Sequence, residues 1–210
     1  MALLQEVSQP LDIDATRLVW QPIPDRRWGS AIYAKEGIEL TPLDIDHTYP
    51  GWVTAADARR KGGSSVTVIS LHAPIIDGYS IAPLHHILSD LTTTLHRGRS
   101  QVILGGDFNA SLQWDERQPQ PTHRIFFDRL LAFGLKSCLP LEGDYATYRH
   151  NKGQSFPWRL DYIFVSAKTK IMSARIVDDH ELTSLSDHNA IVTALSQAWA
   201  QRRPRIEFSP

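Results

Sequence analysis

The sequence has 210 residues, 42% of them hydrophobic and 21% charged, the balance of a soluble globular protein of about one domain. Its formal charge is −1 and its pI about 6.8, which excludes the broad basic field of a passive nucleic-acid coat. A lone cysteine, Cys138, excludes an internal disulfide, no apolar run approaches membrane length, and the first residues do not read as a signal peptide, so we expect a cytoplasmic monomer with no membrane span.

The chain opens inside an apolar run, Ala2-Leu3-Leu4, that passes directly into Gln5-Glu6-Val7. RLVWQ at 17–21 and SAIYA at 30–34 read as strands, and 37–40 as a short further one. Residues 41–50, with their Pro and Asp, read as irregular. Runs at 52–58 and 65–71 flank Arg59-Arg60-Lys61-Gly62-Gly63, which predicts a hairpin with a solvated basic tip. The second run ends at His72 and Pro74. Pro83 then marks a helix start, and Leu84, Ile87, Leu88, Leu91 and Leu95 recur at helical spacing as far as Gly98. That helix leads into QVILGGDFNA at 101–110. Strand, helix, strand predicts a crossover on a sheet. A polar segment at 114–123 precedes a second helix at 124–133, ended by Gly134. Further strands are expected at 135–139, 159–166, 170–177 and 190–195, with Trp199 beyond and a tail at 201–210. The pattern predicts an α/β layered domain.

Polar groups gather at the ends of these apolar runs. Val102-Ile103-Leu104 reads as a buried strand, stopped by Gly105-Gly106. Asp107 and Asn109 follow, one residue apart, and would share a side if the strand continued. Such groups are costly to bury unless something binds them. The same residues also suit a plain turn, and the stretch alone leaves both readings open. Glu6 follows the first run, Asp161 lies within LDYIFVS, and Ser186-Asp187-His188-Asn189 precedes AIVTAL. Singly, Glu6 reads as a surface acid, Asp161 as a carboxylate held by backbone donors, Ser186-Asp187 as a cap and His72 as a strand-end imidazole. His47, His85, His86, His96, His123, His150 and His180 read as surface or helix residues. Trp28, Trp52 and Trp158 are assigned to core or rim packing in preference to a substrate groove.

Taken together and in this order, QE near the start, His72, GDFN, LDYIFVS and SDHNAI resemble the endonuclease/exonuclease/phosphatase superfamily, from Leu3 to Leu195. That group includes pancreatic-type deoxyribonucleases, exonuclease III-type repair endonucleases, neutral sphingomyelinases and inositol polyphosphate 5-phosphatases. The resemblance implies a four-layered α/β sandwich of two packed mixed β-sheets flanked by helices, and phosphoester hydrolysis with Mg²⁺ or Mn²⁺. It implies that Glu6 is the main metal carboxylate, with Asp187 as a second. Asp107 and Asn109 would orient the attacking water and the scissile phosphate, Asp161 would pair with His188, and His72 would contact phosphate or assist the leaving group. The residue types agree with those roles: Mg²⁺ takes oxygen ligands, and a carboxylate beside an imidazole favours its charged form.

Two features depart from the pattern. The family begins with an Asn-bearing strand and a helix, whereas this sequence begins at the QE strand. We therefore expect residues 1–200 to be an N-terminally shortened domain, less stable and less active than a longer form. No abasic-site recognition loop is evident. The sequence-level expectation is a metal-dependent phosphodiester hydrolase, most simply a nuclease acting on DNA or RNA. A phosphatase or phosphodiesterase of a small or lipid phosphate, and a catalytically silent binding relative, are the alternatives.

Overall fold

The computed structural model describes residues 1–96, 101–148, 158–177 and 185–196. Gly98, His150, His180, Trp199 and the tail at 201–210 lie outside the described residues. A six-stranded mixed sheet organises the fold. It comprises β4 (Ile38–Leu43), β5 (Val53–Arg60), β6 (Ser65–His72), β7 (Gln101–Asp107), β8 (Leu135–Ser137) and β9 (Asp161–Ser166), in the order β4-β5-β6-β7-β9-β8. Only β6 and β7 pair in parallel; the other pairs are antiparallel. β1 (Ala2–Ser8), β2 (Leu18–Pro22) and β3 (Trp28–Tyr33) make a separate antiparallel sheet in the order β1-β3-β2. β10 (Ile171–Val177) and β11 (Ala190–Leu195) form an antiparallel pair.

The crossover between β6 and β7 is made by α1 (Ile81–Asp90) and the short α2 (Thr92–Leu95), separated only by Leu91. The helix thus begins two residues before Pro83, which still falls in the first turn, where a missing N–H costs nothing. α3 (Leu112–Asp115), not expected from the sequence pattern, runs into the polar segment at 114–123 and is capped by the Ser111 hydroxyl, and α4 (Thr122–Ala132) follows.

β6 shows why the strands read as unbroken apolar runs. Val66 and Val68 face the small sheet, clustering with Val19, Ile32 and Ala34 and with Ala56 and Ala58 of the neighbouring β5. Ile69 and Leu71 belong to the opposite core, with Leu84, Ile87 and Leu88 of α1 and Phe126, Phe127 and Leu130 of α4. A strand buried on both faces has no polar alternate positions to display. Among the described residues, helices, large sheet and small sheet stack as three layers, with the second sheet antiparallel. No described helix is long and apolar enough to cross a membrane.

Ser70 fastens the small sheet to the large one. Its hydroxyl donates to the Leu4 carbonyl (3.2 Å) and accepts from Gln5 Nε2 (2.9 Å). The neighbouring glycines of β7 permit the same close approach. A Cβ on Gly105 would lie 3.0 Å from the Leu3 side chain, and one on Gly106 (φ +137°) 2.7 Å from Gln5 Nε2, both on β1 of the small sheet. The two glycines therefore do not stop the strand; β7 runs through them to Asp107.

Candidate active site

Strand register assembles the first three site residues. His72 pairs with Asp107 across the parallel β6–β7 ladder, and Asp107 pairs with Asp161 across the antiparallel β7–β9 ladder. The three thus form one rank at one edge of the sheet, at the carboxyl ends of β6 and β7. Open α/β sheets place ligands at this kind of edge.

Asn109 reaches the site by a different route from the one expected. Its φ is +46°, so the strand does not continue past Asp107 and the two side chains do not alternate as strand neighbours. Asparagine tolerates this left-handed geometry better than most residues. The bend lets the Asn109 N–H donate to Asp107 Oδ1 (2.8 Å), while Asn109 Nδ2 donates to the Ala73 carbonyl (2.9 Å). Asn109 Oδ1 and the second amide hydrogen remain for substrate or water.

Glu6 comes from the small sheet. The β1–β3 register shifts between Leu4 and Val7, and Glu6 itself has φ +55°. A bulge of this kind re-aims one side chain, and here it brings Glu6 Oε1 to 3.9 Å from His72 Nε2. The Glu6 side chain is 63% exposed, against 10% for Asp107.

His188 closes the set. Its Nδ1 lies 2.8 Å from Asp161 Oδ2, and its own N–H donates to the Ser186 hydroxyl (3.0 Å), so Ser186 does cap the turn. Asp187 is exposed and lines the same cleft as Glu6, His72, Asp107, Asn109 and His188. Thr147, which no sequence motif singles out, holds this pair together. Its buried hydroxyl accepts from the Leu160 and Asp161 N–H groups (3.0 Å each), and its carbonyl accepts from the Asn189 N–H (2.6 Å). One threonine thereby fixes the start of β9 and the loop carrying His188. A threonine in a variable loop carries no periodic signal in the sequence.

The electrostatics separate the two histidines. Burial pushes His72 down to about 4, aided by the positive charges of His188 and Arg26. Its distances of 3.6 Å to Asp107 Oδ2 and 3.9 Å to Glu6 Oε1 exceed a hydrogen bond, so the neutral ring forms no ion pair with either acid. Burial also works against a charge on His188, but the hydrogen bond that its ring donates to Asp161 and the charges of Asp161, Asp107 and Asp187 overcome it and raise the ring to about 9. Burial raises Asp107 to about 7, with a further contribution from Asp161 and opposition from His188 and the Asn109 N–H. Near neutral pH the cleft thus holds a neutral imidazole, an imidazolium and a carboxyl group poised between its two forms. Perturbed groups that converge in a cleft are a mark of function.

The cleft encloses about 950 Å³ and has aromatic walls. Trp28 and Trp52 contact each other edge to face, and Trp52 packs on His72 with ring centres 4.9 Å apart. Trp114 and Trp158 form a second cluster, 5.0 Å apart. Trp28, Trp52 and Trp158 therefore line the groove, contrary to the packing role that their sequence context suggested. His123 also departs from expectation. It is buried in the first turn of α4, its Nδ1 accepts from the Ser111 N–H (3.2 Å), and it lines the cleft. His86 and His96 are exposed and His47 and His85 half-buried, as surface and helix positions imply. No group of three or more His, Cys, Asp or Glu side chains among the described residues is arranged to hold a metal ion alone.

Residues 2–188 match the model of the endonuclease/exonuclease/phosphatase family. The chain belongs to this family. Family members of known structure share its fold at low identity. The endonuclease domain of TRAS1, a telomere-specific non-LTR retrotransposon, superposes with a TM-score of 0.67 at 20% identity, over 93% of this chain and 85% of that one. The mannosyl-6-phosphatase Bt3783 of Bacteroides thetaiotaomicron VPI-5482 gives 0.57 at 18% identity, over 80% and 70%. The catalytic domain of human Nocturnin gives 0.57 at 20% identity, over 80% and 63%. No curated protein matches the sequence significantly. The family thus spans nucleases and phosphatases that act on phosphoester bonds.

Proposed function

We propose that this protein is a divalent-metal-dependent phosphodiesterase, and specifically a nuclease acting on DNA or RNA. The observation that carries the reading is the rank of His72, Asp107 and Asp161 across three adjacent strands, with His188 bonded to Asp161 at 2.8 Å. Asp107, raised to about 7, accepts a proton from the attacking water at neutral pH, where a base of that strength is most effective. Asn109 orients the water or a phosphoryl oxygen through its free amide groups. His188, kept cationic by Asp161, places a positive charge and an N–H donor where negative charge grows on the phosphate. His72 offers a neutral N–H or lone pair beside Asp107.

The acids fit a hard cation that keeps most of its waters. Mg²⁺ and Mn²⁺ favour oxygen ligands, and Mg²⁺ needs only one or two carboxylates besides substrate oxygens. Glu6 and Asp187 on the cleft rim supply two such groups. Glu6 and Asp187 would hold the ion. Such an ion neutralises charge on the phosphoryl oxygens.

The test is an assay with Mg²⁺ and Mn²⁺ on plasmid DNA, RNA, bis-p-nitrophenyl phosphate and phosphoinositides. Nuclease and diester turnover is expected, with losses of about 100- to 10,000-fold in Asp107→Ala and His188→Ala. Unaltered turnover in both variants would refute the assignment. Turnover confined to phosphomonoesters would make the protein a phosphatase.

A further inference from the structure

Hydrolysis of one phosphodiester occupies little of the cleft. Its volume of about 950 Å³ lies near the top of the range, roughly 300–1,000 Å³, that suits a drug-sized ligand. Ile75, Gly78, Tyr79 and Trp114 also line the cleft, a wall that the catalytic residues do not form.

That wall is built with unusual firmness. Ile76 and Tyr79 exchange both backbone hydrogen bonds, N to O at 2.9 Å each way, around Asp77 (φ +51°) and Gly78 (φ +83°). Positive φ at both central residues defines the tightest hairpin turn. Both feet of the turn are tied to the catalytic loop. On one side Ala73 N–H donates to the Asp107 carbonyl at 2.9 Å and Asn109 Nδ2 donates to the Ala73 carbonyl; on the other, the Ser80 hydroxyl donates to the Asn109 carbonyl. This rigid turn nevertheless displays an apolar surface: Tyr79 is 70% exposed and Trp114, on α3, is 44% exposed. Large aromatic side chains left open at the rim of a reaction site call for a partner.

Charge selects that partner. The guanidinium of Arg26 lies 5.0 Å over the Trp28 ring, and that of Arg117 lies 5.0 Å over the Trp158 ring. Trp28, Trp158 and Arg26 line the same cleft as Tyr79 and Trp114. Cations interleaved with aromatic faces suit a chain that alternates bases and phosphates. With a net charge of −1, the protein has little general attraction for a polyanion, so affinity must come from local stacking.

We propose that Tyr79 and Trp114 form a base-stacking subsite that seats an unpaired nucleobase beside the scissile phosphodiester. This deepens the phosphodiesterase reading and rests on it. The subsite favours single-stranded or locally opened nucleic acid, because a base within a duplex keeps its faces covered by its neighbours.

Binding is measured in the Asp107→Asn background with two labelled strands of equal length: a single-stranded oligodeoxynucleotide and the same backbone with every base replaced by hydrogen. Wild-type Tyr79 and Trp114 give a preference for the base-bearing strand. Tyr79→Ala and Trp114→Ala each reduce that preference by about 5- to 100-fold, and Tyr79→Phe and Trp114→Phe restore it. Binding of the base-bearing strand also quenches indole fluorescence, and Trp114→Ala diminishes the quenching. An undiminished preference in both alanine variants overturns the subsite, as does equal weakening on both strands. Binding losses confined to phosphoinositide vesicles overturn it in favour of a lipid contact. Absence of diester turnover in the wild-type enzyme overturns the nuclease reading instead, while the binding preference still decides the subsite.

Discussion

Asp107 and Glu6 bring the same chemical group into one cleft by opposite means. Asp107 ends a central strand, is nearly buried, and accepts the Asn109 N–H. Glu6 stands on a bulge of a three-stranded sheet with most of its side chain in water. Burial is what lifts Asp107 to about 7 and suits it to proton transfer. Exposure lets the Glu6 carboxylate meet a hydrated cation without a large desolvation cost. In the proposed mechanism the large sheet would supply the groups that move or hold protons, and the rim those that would hold a metal.

The comparison is broken most severely on the buried side. Asp161→Asn removes the charge that keeps His188 protonated, and turnover should fall by about 100-fold or more at neutral pH. The sign follows from the raised pKa: His188 is charged below about 9 in the native protein, and without Asp161 its titration moves down toward 6.5. The alkaline limb of the pH–rate profile should shift down accordingly, and a limb that stays near its wild-type position would remove Asp161 from its proposed role. The same linkage acts on stability. The Asp161–His188 contribution is complete below the unfolded imidazole value of about 6.5 and is lost as the pH rises through about 9. In Asp161→Asn the fall in Tm between those values should be smaller than in the wild type.

On the exposed side the effect should be smaller and of another kind. Glu6→Gln is expected to cost about tenfold or more in activity at limiting Mg²⁺, with partial recovery as Mg²⁺ is raised, because in the proposed site the carboxylate would hold the ion while the substitution leaves the proton-handling groups intact. Isothermal titration with Mn²⁺ checks this directly. A loss that no concentration of metal relieves would place Glu6 among the proton-handling groups. The Tm should change little, since the side chain is largely in solvent.

Thr147→Val should give the smallest catalytic effect and a clear structural one. It leaves the part-buried Leu160 and Asp161 N–H groups without the hydroxyl that accepts from them, at a cost of about 1–3 kcal/mol in denaturant unfolding. A fall in kcat without a matching rise in KM would show that the threonine acts by aiming Asp161 and His188. Unchanged stability would mean that other acceptors replace its hydroxyl.

Much of the scaffold is legible along the chain. The apolar runs at 65–71 and 101–104 become adjacent parallel strands joined by a helical crossover, as the strand–helix–strand order requires. The motifs GDFN, LDYIF and SDHN mark Asp107, Asn109, Asp161, Asp187 and His188, and the residues concerned do share a cleft or hydrogen bond within it. Local rules failed where backbone geometry turned: Asn109 and Glu6 both adopt positive φ, so neither follows the alternation that strand periodicity assumes.

By itself, the sequence determined which segments are strands and helices and which polar groups stand at their ends, because burial on two faces demands apolar runs and leaves those groups at the edges. Only the tertiary structure decided which ends meet. The register that aligns His72, Asp107 and Asp161 is a relation between strands far apart in the chain, which no local propensity encodes. The same holds for the aromatic walls, whose tryptophans come from β3, the start of β5, α3 and the approach to β9. The GDFN turn thus announces a candidate site in the sequence. Its neighbours across the sheets set the protonation of Asp107 and His188, through burial and charge that exist only once the chain has folded.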